Sequence, residues 1–97
     1  MITEVQKNII INAMMPFQPV KIGIFGSNAR NEHTEDSDID ILYQLTDTVG
    51  LLNLVRLKDD LEEKLNNKVD LVSEKYIHPK LRPYIMRDLQ IIYSNGR

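Results

Sequence analysis

"VKIGIFGSNARNEHTEDSDIDILYQL", running from Val20 to Leu45, decides how the 97-residue chain is read. Its first six residues alternate, with Val20, Ile22 and Ile24 on one side, which predicts a strand. Gly26-Ser27 ends that strand, since both residue types favour turns. Residues 28 to 37 are polar and carry no apolar period, so they predict a loop with space for one helical turn. "DIDILYQL", from Asp38, returns to strand character. Side chains two apart on a strand share a face, so Asp38 and Asp40 project together while Ile39 and Ile41 turn to the core. The link between the two strands is too short for a crossover helix, so a purely parallel sheet is disfavoured.

Working outward, the N-terminal "ITEVQKNIIINAMMPF" predicts a helix. Thr3 and Gln6 have capping-box spacing, Val5, Ile9 and Ala13 recur at helical intervals, and Pro16 and Pro19 stop it. Asp47 or Thr48 is the expected cap of a second helix whose apolar stripe is Leu51, Leu54, Leu57, Leu61 and Leu65. Lys58, Asp59, Glu62 and Glu63 fall outside the stripe, and Asn66-Asn67 ends the helix. "KVDLVS" is a third strand. Pro79 opens a segment that is helical to about Asp88, with Pro83 in its first turn, and "QIIY" follows as a short strand. The order α-β-β-α-β-α-β predicts an α+β fold, a small mixed sheet flanked by helices, with residues 1–97 as one domain.

Composition narrows the function. With 42% hydrophobic and 27% charged residues the chain reads as globular, not as a disordered tail. A formal charge of −2 without a basic stripe argues against direct nucleic-acid binding. The absence of cysteine excludes disulfides, thiolate catalysis and zinc–thiolate sites. No apolar run approaches the ~18 residues of a membrane span. Glu4 and the lack of a basic stretch before a long apolar run speak against a signal peptide, so a cytoplasmic location is expected.

The chemistry gathers around three carboxylates. Two carboxylates held as close as Asp38 and Asp40 repel unless a cation keeps both ionised, and oxygen donors of this kind suit Mg²⁺. The plain alternative is a solvated strand end paired with Arg or Lys. Asp70 repeats the oddity within "VDLV", where an unpaired buried carboxylate is costly. If the third strand lies beside the second, Asp70 faces the same site, and three carboxylates can serve two ions about 3.5–4 Å apart with one acting as general base. At Gly26 the backbone can turn sharply, successive N–H groups can form an anion nest, and the Ser27 hydroxyl and the Arg30 fork would add donors to phosphate oxygens. Taken alone, Gly-Ser is an ordinary turn. Together with the acidic residues it points to metal-assisted phosphoryl or nucleotidyl transfer.

"GSNAR" followed by "SDIDIL" resembles the minimal nucleotidyltransferase family of the DNA polymerase β superfamily. The resemblance runs from about Val20 to Val72. It implies that family's fold, Mg²⁺ on Asp38 and Asp40, Asp70 as third carboxylate, and Gly26 and Ser27 on the phosphates of a nucleoside triphosphate, with Arg30 helping. Asn31 stands where the family commonly has Gly; Asn is the next most tolerant of a left-handed backbone. Small free-standing members resemble antitoxins that transfer AMP from ATP to a tyrosine of a HEPN-family toxin. That similarity implies ATP as substrate and a toxin partner, with a homo- or hetero-oligomer as the working form. Two other readings stay open: an antitoxin that neutralises by covering its toxin, and the catalytic subunit of a small-molecule nucleotidyltransferase.

The remaining polar residues read as surface. His33 and His78 are isolated, whereas a metal site gathers several donors. Glu35 and Asp36 read as solvated loop residues. Tyr84 and Tyr93 are spaced with Ile85, Leu89 and Ile92 and are expected to pack in a core or an interface.

Overall fold

The computed structural model describes residues 2–26 and 38–95. Helix α1 spans Glu4–Met14, and its start is fixed by a reciprocal capping box: the Gln6 N–H donates to the Thr3 hydroxyl (3.1 Å) and the Thr3 N–H to Gln6 Oε1 (2.8 Å). A 3-10 turn at Met15–Phe17 carries Pro16, and Gln18 then takes a left-handed φ of 55° that swings the chain into strand β1, Pro19–Phe25. Strand β2 spans Ile39–Leu45, helix α2 Leu51–Leu65, strand β3 Val69–Ser73, helix α3 Arg82–Asp88 and strand β4 Gln90–Ser94. Among the described residues, the α-β-β-α-β-α-β order read from the sequence is therefore the order found.

The four strands form one mixed sheet, β3-β2-β1-β4. β1 pairs antiparallel with β2 and with β4, while β2 and β3 run parallel. The short β1–β2 link requires the first pairing; the helix α2 permits the parallel one.

One face of the sheet carries the main core. Ile22, Ile24, Ile39, Ile41, Tyr43 and Val69 pack there against Ile10 and Met14 of α1 and Leu57, Leu61 and Leu65 of α2. The stripe on α2 is thus Leu57, Leu61 and Leu65 in the core with Leu54 at its margin; Leu51 is 78% exposed. On α1 the inward residues are Ile10 and Met14, with Ile9 and Ala13 at the margin and Val5 69% exposed, a rotation of the expected face by about one residue. Neither Asp47 nor Thr48 caps α2. Gly50 holds the N-cap position with no side-chain bond, and Asn66, at φ 52°, closes the other end as expected.

The opposite face is thinner. Leu42 is fully buried there, outside the main core. Its cross-strand partner is Gly23, and the Leu89 side chain occupies the space above that glycine, 2.5 Å from where a Cβ would stand. The segment that covers this face after β3 is tied down by Glu74, which accepts from Lys21 Nζ at 2.5 Å and lies 3.9 Å from Arg82 Nη2. Glu74 is largely buried, so this link contributes more than an exposed pair does.

Leu61→Ala removes a fully buried side chain from the main core and is expected to cost about 3 kcal/mol of unfolding free energy in urea titration. Leu51→Ala on the exposed first turn of the same helix should fall within about 0.5 kcal/mol of wild type.

Candidate functional site

Asp40 sits inside β2 between Ile39 and Ile41, both fully buried on the core face, so strand alternation turns its carboxylate to the opposite face. Directly across the antiparallel ladder is Phe25, and directly across the parallel ladder is Asp70. Residues in such register share a face, and neighbouring strands lie about 4.8 Å apart. Asp40 and Asp70 are therefore adjacent carboxylates on one surface. Asp38 stands one residue ahead of β2 and is exposed, as is Asp70.

The start of the parallel pairing has its own supports. The Ile39 N–H donates to the Lys68 carbonyl at 2.9 Å, and the Val69 N–H donates to Glu62 Oε2 at 2.9 Å. Glu62 also accepts from Lys58 at 3.2 Å. The bond from the Val69 backbone, and then that from Lys58, hold the Glu62 carboxyl below its ordinary pKa of 4.5. A residue that the sequence reads as outside the helix stripe thus anchors the strand that carries Asp70.

Gly26 follows β1 with φ +75°, a conformation L side chains rarely adopt. A Cβ on Gly26 would collide with Asp40 Oδ2. The glycine is required twice here, once for the backbone turn and once for the approach of the chain to a carboxylate. Ser27, Arg30 and Asn31 lie outside the described residues, as do His33, Glu35 and Asp36.

The donor set tests whether Mg²⁺ suits the place. Asp38, Asp40 and Asp70 offer hard oxygen ligands, and Asp40 and Asp70 are in register. Among the described residues no three acidic or histidine side chains converge into a complete metal cage.

Next to the carboxylates lies a groove of about 490 Å³, lined by Phe25, Asp70 and Val72 from the sheet and by Tyr76, Leu81 and Tyr84 from the segment beyond β3. Tyr84 is 65% exposed; it lines this groove and is not packed in the core. Its spacing with Ile85 and Leu89 predicts packing in a core or an interface; the ring stands outside the core cluster and faces the surface. Tyr93, in contrast, packs against the core margin as expected. His78 is exposed, with Nδ1 accepting from the Lys80 N–H at 3.1 Å. A second cavity, of about 520 Å³, opens at the far ends of β2 and β3 around Tyr43, Glu74 and Arg82, away from the aspartates. Burial pushes the Tyr43 phenol pKa up there, against the opposing effect of its bond with Ser73.

The chain matches the family described as "Polymerase beta, Nucleotidyltransferase" over residues 7–97. It is 42% identical over 87 residues to a protein of Methanocaldococcus jannaschii named "Putative protein adenylyltransferase", covering 90% of this chain and 92% of that one. It is 36% identical over 69 residues to "Protein adenylyltransferase MntA" of Thermococcus cleftensis, covering 71% and 70%. A solved chain described as "Crystal structure of the toxin-antitoxin with AMP-PNP" shares the fold, with a TM-score of 0.82 at 24% identity over 93% of this chain and 74% of that one.

Two outcomes follow from the site's construction. Gly26→Ala is expected to destabilise by about 1–3 kcal/mol in urea titration, and adding Asp40→Ala should restore the steric part of that loss. Glu62 has a folded-state pKa below its unfolded value, so its stabilisation is present above about pH 4.5 and fades as pH falls through the lower folded-state value. Glu62→Gln should therefore flatten the acid limb of a stability–pH curve measured between pH 5 and 2.

Proposed function

The chain belongs to the polymerase beta nucleotidyltransferase family, and from that premise we propose that it is a protein adenylyltransferase acting as the antitoxin of a toxin–antitoxin pair. The reaction is transfer of AMP from ATP to a hydroxyl of the partner, in this reading a tyrosine of a HEPN-family toxin. The observation that carries it is the register of Asp40 with Asp70 beside a glycine that has no room for a side chain. The near-complete overlap with an adenylyltransferase relative, 92% of its length, supports the choice of transfer to protein. Residues 1–97 are taken as one catalytic domain working in the cytoplasm; no described helix is long and apolar enough to cross a membrane.

In this mechanism the Gly26 turn lets the triphosphate approach the backbone, and Ser27 and Arg30 donate to its oxygens. Asp38, Asp40 and Asp70 would hold Mg²⁺, which when bound supplies neutralisation of the phosphate charge. Asp70, on the edge strand and exposed, is open to the acceptor and takes the hydroxyl proton. The acceptor oxygen bonds to the α-phosphorus, the α–β phosphoanhydride bond breaks in line, and pyrophosphate leaves. Ile39, Ile41 and Val69 contribute by fixing the strands so that the carboxylates do not drift apart.

A second reading has its own observation. Leu51, Leu52 and Val55 form an exposed apolar patch on the first turns of α2, the kind of surface a partner covers. Neutralisation by covering alone would need such a face and no chemistry. Labelled ATP and the co-purified toxin separate the two. Asp38→Asn with Asp40→Asn is expected to reduce labelling to background and to abolish neutralisation in cells. Labelling that survives the double substitution overturns the mechanism, and neutralisation without labelling selects the covering mode.

A further inference from the structure

We propose that the segment from Lys75 to Arg87 is a docking surface for an acidic stretch of the protein that accepts the nucleotidyl group; this rests on the reading of Asp38, Asp40 and Asp70 as the site of transfer. Charge distribution is the first argument. The segment holds four of the chain's twelve Lys and Arg and none of its fourteen Asp and Glu, in a chain of net charge −2. Lys75, Lys80, Arg82 and Arg87 are all exposed. Two acids stand at its borders: Glu74 lies 3.9 Å from Arg82, and Asp88 lies 3.7 Å from Arg87. Glu74 is already bound to Lys21, so it offsets Arg82 only in part. Lys75 stands 5.6 Å from the centroid of the Tyr76 ring, and among the described residues neither it nor Lys80 is in an ion pair. A basic surface on a chain of negative net charge steers a partner of complementary sign. The adjoining carboxylates favour a polypeptide over a nucleic acid, because a nucleic acid carries a charge at every phosphate and a polypeptide places its acids only where cations meet them.

Position is the second argument. Asp70 lies on β3, an edge strand of the sheet, and the segment begins just beyond the end of that strand. A hydroxyl brought to Asp70 from that edge passes over it. Neither the turn at Glu74–Tyr76 nor α3 contributes a buried residue, so the segment presents its side chains to solvent. Tyr76, Leu81 and Tyr84 are 74%, 56% and 65% exposed. Tyr84 and Arg87 stand three apart on α3 and share a face. Tyr76 lines both the groove beside Asp70 and the cavity that holds Lys75 and Arg82, so the basic rim and the carboxylate belong to one surface. Exposed tyrosines and arginines around an apolar side chain have the composition of an interface centre. The Lys21–Glu74 link ties the start of this surface to the sheet before a partner arrives.

Transfer of labelled AMP by the full chain to its co-purified partner protein, with the KM of each substrate measured separately, tests this. Lys75→Glu with Lys80→Glu should raise the KM for the partner about tenfold and leave kcat and the KM for ATP as in wild type. Lys75→Gln with Lys80→Gln should fall between the two. Lys64→Glu, on the helix that covers the opposite face of the sheet, should change neither KM. Added salt should raise the partner's KM more in wild type than in the reversed variant. Poly-L-glutamate should compete with the partner and not with ATP, a test that needs no substitution. An unchanged partner KM in the reversed variant overturns the inference and leaves the transfer reading standing. A parallel rise in the KM for ATP also overturns it and gives the cations to the nucleotide. Oligouridylate binding the wild-type chain more tightly than poly-L-glutamate overturns it in favour of nucleic acid. Wild type that labels no partner protein removes the transfer reading and this one with it.

Discussion

The parallel pairing of β2 with β3 is the constraint on which the site depends. It places Asp40 opposite Asp70, and a slip of β3 by one residue would turn the Asp70 carboxylate toward the main core. The register is defended from the other face. Ile39, Ile41 and Val69 are buried against α1 and α2, and moving them out of that core would expose three branched apolar side chains at once. The defence also has a polar part at the strand start, where the Lys68 carbonyl and the Glu62 carboxylate receive the Ile39 and Val69 N–H groups. The acidic residues are thus held by neighbours that take no part in chemistry.

Around that pair the sheet has two unlike faces. The core face is thick and covered by two helices, and it supplies stability. The site face is covered in part, by Leu89 over Gly23 and by the segment pinned through Glu74, and is open elsewhere. This partial cover creates a groove that ends at a carboxylate. Full cover would have taken charged carboxylates out of water at a large cost. Gly23 and Gly26 mark the two close approaches on this face, one to a leucine and one to an aspartate.

Much of the fold was legible in the sequence because its signals are local. The Thr3–Gln6 capping box, the alternation of "VKIGIF" and "DIDILYQL", the Leu57–Leu61–Leu65 stripe and the Asn66 stop all became the structures they predict. The misreadings share one cause. Val5 and Leu51 carry the right periodicity yet lie exposed, and periodicity carries no information about where the opposing surface ends. Gly50 in place of Asp47 or Thr48 as the cap reflects the same limit, since the sheet sets how far the connection runs before α2 begins.

By itself the sequence determined the residue types of the candidate site and the placement of two of its aspartates on one strand. The candidates Asp38, Asp40 and Asp70 could be proposed from it, because an Asp-x-Asp within an apolar strand and an Asp within "VDLV" are locally unfavourable and so stand out, and Gly26, Ser27 and Arg30 from their turn chemistry. Tertiary structure decided which of these meet. The ladder register brought Asp70 beside Asp40 across a separation of thirty residues, and a positive φ set Gly26 against the Asp40 carboxylate. It also decided that Tyr76 and Tyr84 line a groove. Such contacts depend on how the sheet is paired and where its cover stops, and hydrogen bonding between distant strands leaves no periodic trace in the chain.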